Sequence, residues 1–281
     1  MTCQKDNTEH LFLESGGIRI HVARGGAGAP LVLIHGLGGP LMWDRIAGIL
    51  RRHYGVLVVD LPGFGESDPP PTGWTTAEYA GMLTHILNAL GVRKAALAGV
   101  SYGGEIAVHV AHGSPERLSG LILISSTGLL RPLPLLGSDF FWRVISIAAP
   151  LTLLRSRWLM CWLGRLSFFD AADRPTDLCR RFFDQLSRKG GREAWLNALR
   201  NVYVRNENFL GMLSRISTPT LIVWGEKDRT VPVRFSGEFH SRIAGSFVRT
   251  FPRCAHSVPL ERPQELYETI REFLVQQEER T

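Results

Sequence analysis

The passage from 95 to 112 narrows the possible folds most. An unbroken apolar run, Ala95-Ala96-Leu97-Ala98-Gly99, leads through Val100 to Ser101, and a helix-like stretch to His112 follows directly. Such a run suits a strand covered on both faces, as in a parallel sheet; a strand with one wet face alternates instead. Leu31-Val32-Leu33-Ile34 ends in His35-Gly36, and Val56-Leu57-Val58-Val59 ends in Asp60. Further strands are expected at 121–124, 220–224 and 246–250. Two alternating runs at 11–14 and 18–23, joined by Ser15-Gly16-Gly17, read as a hairpin. Thr75-Thr76-Ala77-Glu78 is a capping box, and Tyr79, Met82, Leu83, Ile86, Leu87 and Leu90 follow at helical spacing until Gly91. The stretch 265–275 is an amphipathic helix. Strands alternating with helices give an α/β fold, a mostly parallel, doubly wound sheet with helices on both faces.

The stretch 128–212 breaks the rhythm. It has no clear strand, is rich in Leu, Trp, Phe and Arg, and reads as several short helices. Alternation resumes after it, so it reads as an insertion on a core made of 1–127 and 213–281. The chain's 281 residues suffice for this.

The formal net charge is +6, but the arginines are scattered and no compact basic run marks a nucleic-acid site. No run reaches the ~18 apolar residues of a membrane span. Cys3, Cys161, Cys179 and Cys254 match no zinc or disulfide spacing. They are expected as free thiols in a reducing compartment, and the polar start MTCQKDNTEH fits a cytoplasmic protein.

Gly99-Val100-Ser101-Tyr102-Gly103 fits G-x-S-x-G, with Gly104 beside it. Alone the pattern is weak, and it also describes an ordinary glycine-rich turn. Between a strand and a helix it is the place for a nucleophile: small flanking residues permit a strained turn, and the helix start favours developing negative charge. A serine needs a base and the base an orienting acid. Of nine histidines, only His256 occupies a late loop at the carboxyl edge of the sheet. His109, His112 and His240 lie on helices, and His35 sits at another strand end, with a structural role. Asp228 follows the strand at 220–224 and is the acid; Glu226 is its rival. The loop Ser125-Ser126-Thr127 offers no carboxylate. Two backbone N–H donors are needed for an oxyanion. Tyr102 is one and Leu37, in the glycine-rich loop 35–39, the other, with Gly38 as the alternative. Asp60-Leu61-Pro62-Gly63-Phe64-Gly65-Glu66-Ser67 is expected to shape a tight loop nearby.

His35-Gly36, the 60–67 loop, the Ser101 elbow, Trp224-Gly225-x-x-Asp228 and His256-x-x-Pro259-x-Glu261-x-Pro263 together resemble the α/β-hydrolase superfamily. The resemblance covers nearly the whole chain outside the insertion. It implies a helical cap formed by 128–212 and kinship with esterases, carbon–carbon bond hydrolases, thioesterases and acyltransferases. Dehalogenases and epoxide hydrolases of this superfamily use an aspartate where Ser101 stands.

The expected reaction is acyl transfer through an acyl-serine, with no metal or cofactor. The substrate is expected to be a small apolar ester or thioester, held by cap aromatics, Trp142 and Trp158 foremost. Phe140, Phe141, Trp162, Phe168 and Phe169 add to this density, and Arg143, Arg155, Arg157 and Arg165 are interleaved. The plain reading is helix packing with solvated arginines; the sharper one is an acyl pocket with an arginine for an anionic group, and weak contact of the cap with a membrane surface. Two alternatives stay open: carbon–carbon hydrolysis of a vinylogous diketone acid, and a ligand-binding receptor on a hydrolase scaffold.

Overall fold

The computed structural model describes residues 8–130, 142, 144–145, 148–149, 153–203 and 208–279. Phe140, Phe141, Arg143 and Cys3 lie outside the described residues. The core is one eight-stranded sheet of order β1-β2-β4-β3-β5-β6-β7-β8. Its strands are β1 Glu9–Ser15, β2 Ile18–Gly25, β3 Pro30–Ile34, β4 Gly55–Val59, β5 Ala95–Val100, β6 Leu118–Ile124, β7 Thr220–Gly225 and β8 Phe247–Phe251. The β1–β2 and β2–β4 pairs are antiparallel, and every other pair is parallel.

The apolar runs divide their side chains between two cores, as a doubly covered strand must. Val32 and Ile34 of β3, Leu97 of β5 and Leu121 and Leu123 of β6 face one side. There they meet α1 Thr76–Ala89, α2 Tyr102–Gly113 and α6 Arg234–Arg242 through Tyr79, Ile86, Ile106, Val110 and Phe239. Leu31, Leu33, Ala98, Ile122 and Ile124 face the other side, where Trp43, Ile46 and Leu50 pack beside Leu266, Ile270 and Phe273 of α7 Pro263–Glu278. The capping box at α1 forms: the Thr75 hydroxyl accepts from the Glu78 amide and the Glu78 carboxylate accepts from the Thr75 amide.

Between β6 and β7 the described residues form helices and turns, with no strand. The longer elements are α3 Arg157–Gly164, α4 Leu178–Leu186 and α5 Gly191–Tyr203. One expectation is corrected here. Cys161 on α3 and Cys179 on α4 are not free thiols but form a disulfide, with their Cα atoms 5.4 Å apart. The contact comes from helix packing, which a spacing of 18 residues does not reveal. Cys254 is free and buried. No described helix is long and apolar enough to cross a membrane.

Candidate active site

Three loops at the carboxyl ends of β5, β7 and β8 carry the expected chemical groups. Ser101 links β5 directly to α2 with φ 56° and ψ −121°, a conformation costly for a residue with a Cβ. Its surroundings hold it there. Ser101 donates its amide to the Ile124 carbonyl (2.9 Å) and accepts at its own carbonyl from Thr127 (3.1 Å) and Gly104 (3.0 Å). The flanking glycines are required by contact. A Cβ on Gly99 would meet the Gly103 carbonyl, and one on Gly103 the Ile34 carbonyl.

Asp228 follows β7 and its side chain is fully buried. One oxygen accepts from the Thr230 and Val231 amides, both at 2.8 Å, and the other lies 2.8 Å from His256 Nδ1. This leaves Nε2 as the ring nitrogen available for chemistry. Glu226 is exposed and accepts from the Thr250 hydroxyl instead. A Cβ on Gly225 would fall on the Ala255 carbonyl, so the two loops meet only because that residue is glycine.

Ser101 and His256 line one cavity of about 340 Å³, with Leu37 and Gly38 in its wall. The rest of the wall is mainly apolar, from Met42, Met160, Phe168, Leu178, Phe182 and Trp195, and among the described residues that line it Arg174 is the only Lys or Arg. Neither expected substrate-binding tryptophan lines it. Trp142 is buried away from it, and Trp158 is 75% exposed. The helical period is the reason: Met160 and Gly164 on α3 face the cavity, while Trp158 is on the outer side. A larger cavity of about 510 Å³, between α4 and the 60–67 loop, holds neither Ser101 nor His256.

The helical segment also grips the loops beneath it. Trp195 Nε1 of α5 donates to the Leu37 carbonyl (3.1 Å), and Asn201 Nδ2 donates to the Tyr102 hydroxyl (2.8 Å). Leu37 and Tyr102 are the two expected amide donors, and the Tyr102 amide opens α2, where N–H groups have no partner within the helix. The Glu261 carboxylate accepts from the amides of Ala255 (3.1 Å) and Phe169 (2.8 Å), and the Ser257 amide donates to the Ser167 carbonyl (2.9 Å). Burial raises the pKa of Glu261. Sequence reasoning missed the roles of Trp195, Asn201 and Arg174. Trp195 and Asn201 do fall on an amphipathic stretch whose Ala194, Ala198 and Val202 are buried at helical spacing.

Two groups prove structural. His35 is fully buried and kept neutral by that burial. Its Nε2 accepts from the Leu61 amide (3.0 Å), so Nδ1 carries the proton and donates to the Gly36 carbonyl (2.7 Å). Asp60 accepts from the Glu66 amide (2.8 Å) and from His21 Nδ1 (2.7 Å), closing the 60–67 turn. Burial works against charge on His21, but the bond to Asp60 and its charge outweigh it and raise its pKa. Among the described residues no group of three or more His, Cys, Asp or Glu is arranged to hold a metal ion.

Glu105, one turn past Ser101, is fully buried and accepts from the Thr127 hydroxyl at 2.7 Å. Burial pushes its pKa up to about 7. Between the unfolded pKa and that value, the unfolded chain releases a proton that the fold retains, so stability falls as pH rises. The shift corresponds to about 3 kcal/mol. Glu105→Gln should therefore gain stability over the parent at about pH 8, with the gain shrinking towards about pH 5, as read by urea unfolding. An effect of equal size at both pH values would show that the carboxyl does not hold its proton in the fold.

Comparison with known proteins agrees with this fold. The family model described as "alpha/beta hydrolase fold" matches residues 29–263. A hydrolase of Bacillus subtilis, YugF, of uncharacterized function, is 28% identical over 251 residues, covering 87% of this chain and 89% of its own. A 2-hydroxy-6-oxononadienedioate/2-hydroxy-6-oxononatrienedioate hydrolase of Cupriavidus pinatubonensis is 28% identical, covering 91% of this chain and 90% of its own. Among solved structures, a bacterial membrane phospholipase A superposes with TM-score 0.81 at 27% identity, covering 97% of this chain and 87% of the other.

Proposed function

Since the chain is a hydrolase belonging to the α/β hydrolase fold family, we propose that it is a serine hydrolase acting on a carboxylic ester or thioester with an apolar acyl group. One observation carries the reading: Ser101 and His256, the latter bonded to buried Asp228, share an enclosure lined mainly by apolar side chains. Ser101 Oγ attacks the acyl carbon while His256 Nε2 takes its proton. The developing oxyanion is bound by the Leu37 and Tyr102 amides. His256 then protonates the leaving alcohol or thiol, and water repeats the sequence to free the acid and Ser101. Asp228 stays ionised and holds the imidazole in the required tautomer. The helical segment 128–212 acts as a cap that sets which acyl chains fit.

A panel of chromogenic esters of increasing acyl length tests this. Each buried methylene adds up to ~0.8 kcal/mol, about fourfold in kcat/KM. Medium-chain esters should therefore outperform acetate until the cavity is full. A flat profile would sink the apolar-acyl reading.

The second reading is carbon–carbon hydrolysis of a vinylogous diketone acid, favoured by Arg174 in the cavity wall and by the relatives named for such substrates. It requires the diketone acid to be turned over well above any ester, with affinity falling as salt rises or on Arg174→Gln. A burst of product without turnover would instead favour a receptor role.

Location follows the thiols. The cytoplasmic reading rested on free cysteines and on the polar start of the chain; the Cys161–Cys179 bond removes the first ground and favours an oxidising compartment. Thiol labelling of protein from fractionated cells tests it.

A further inference from the structure

We infer that the outer face of α3 and the turn after it form a docking surface for an anionic lipid bilayer. The inference does not depend on which bond the active site breaks. Trp158 and Trp162 stand one helical turn apart, 75% and 48% exposed, and Leu166 and Phe169 continue the exposed apolar patch beyond the helix end. A soluble surface seldom leaves two indoles and two further large apolar side chains adjacent and uncovered. Within the segment 153–169 the charge has one sign. Arg155, Arg157 and Arg165 are exposed, and residues 153–169 contain no Asp or Glu. Among the described residues none of the three arginines forms an ion pair. Two carboxylates lie just past the patch: Asp170 accepts from the Ala172 amide, and Asp173 pairs with Arg262.

Indoles settle where one side is apolar and the other wet, and arginine guanidiniums reach phosphate headgroups from the same depth. That pairing of chemistries fits a bilayer better than a protein groove, which would supply discrete carboxylate partners. A whole-chain charge of +6 favours the same approach. The opposite face of α3, through Met160, Cys161 and Gly164, is a wall of the cavity that holds Ser101. Docking would set that wall against the lipid surface, and the Cys161–Cys179 bond fixes α3 to α4 as one platform.

The test is flotation of the whole protein with vesicles of phosphatidylcholine alone and with phosphatidylglycerol mixed in. Binding should appear with the mixed vesicles and weaken sharply at high salt. Each arginine is worth about fivefold in vesicle affinity, so Arg155→Gln, Arg157→Gln and Arg165→Gln together should lose on the order of a hundredfold. The pair Trp158→Gln and Trp162→Gln should lose on the order of tenfold or more. Thermal melting of each variant checks that the fold is intact; the arginine variant, altered only at exposed positions, keeps the test alive should the tryptophan pair unfold. No binding to mixed vesicles, or binding that neither set of substitutions changes, overturns the inference. So does a concentration-dependent dimer that the tryptophan substitutions abolish, since the face would then belong to a second copy of the chain.

Discussion

Ser101→Ala is expected to lower kcat by about 10⁶-fold while leaving the fold and substrate binding nearly unchanged. Removing the hydroxyl removes the covalent route, not merely one contact. Substrate would still enter the same cavity, and the Leu37 and Tyr102 amides would still polarise its carbonyl. What remains is direct attack by water, about 10³–10⁴-fold faster than without the protein. Alanine fits the site sterically, since it keeps the Cβ that lies close to Gly36. The backbone at φ 56° must be held by the same bonds to Ile124 and Thr127. Single-turnover kinetics and labelling by a fluorophosphonate give the readout. Full activity in the variant, or labelling at another residue of the parent, would end the assignment of the nucleophile.

Asp228→Asn should cost on the order of 10⁴-fold in kcat. The Thr230 and Val231 amides donate to one carboxylate oxygen, and an asparagine carbonyl can take over both bonds. Its amide nitrogen then faces His256 Nδ1 and can only donate. That forces the imidazole proton onto Nε2, which then has no lone pair for the serine proton. The variant should melt near the parent, so a loss of activity without loss of stability is the signature. Glu226→Gln, at an exposed position bonded to Thr250, should be nearly silent. If Glu226→Gln proves the more damaging of the two, the acid has been misassigned.

The sheet was legible because the central parallel strands β3 to β7 carry unbroken apolar runs, and α1 because its capping box lies beside a clear period. The elbow and the loop of Asp228 were readable because steric need limits the residues there: glycine at 99, 103 and 225 answers to specific carbonyls. The cavity wall was not legible. Aromatic density drew attention to Trp142 and Trp158, but density carries no direction, and on an eight-residue helix such as α3 one step changes the face. The residues that line the cavity, Met160, Phe182 and Trp195, come from three helices whose mutual packing is a tertiary fact. The Cys161–Cys179 bond was hidden for the same reason. Glu261 was visible as part of a motif, but its tie to the Phe169 amide, 92 residues away, was not.

Helix α5 reaches both Leu37 and Tyr102, and this has a consequence for how such a protein can diversify. A mutation of Trp195 that admits a new substrate also breaks its bond to the Leu37 carbonyl, and so disturbs the loop that carries the Leu37 amide. Breadth and speed are then inherited together at Trp195, and a lineage that explores there pays in rate for each novelty. Met160 on α3 and Phe182 on α4 face the same enclosure without holding either amide. Changes at those two positions let selection retune appetite while the chemistry stays intact, so divergence between descendants should accumulate on α3 and α4 before it reaches α5.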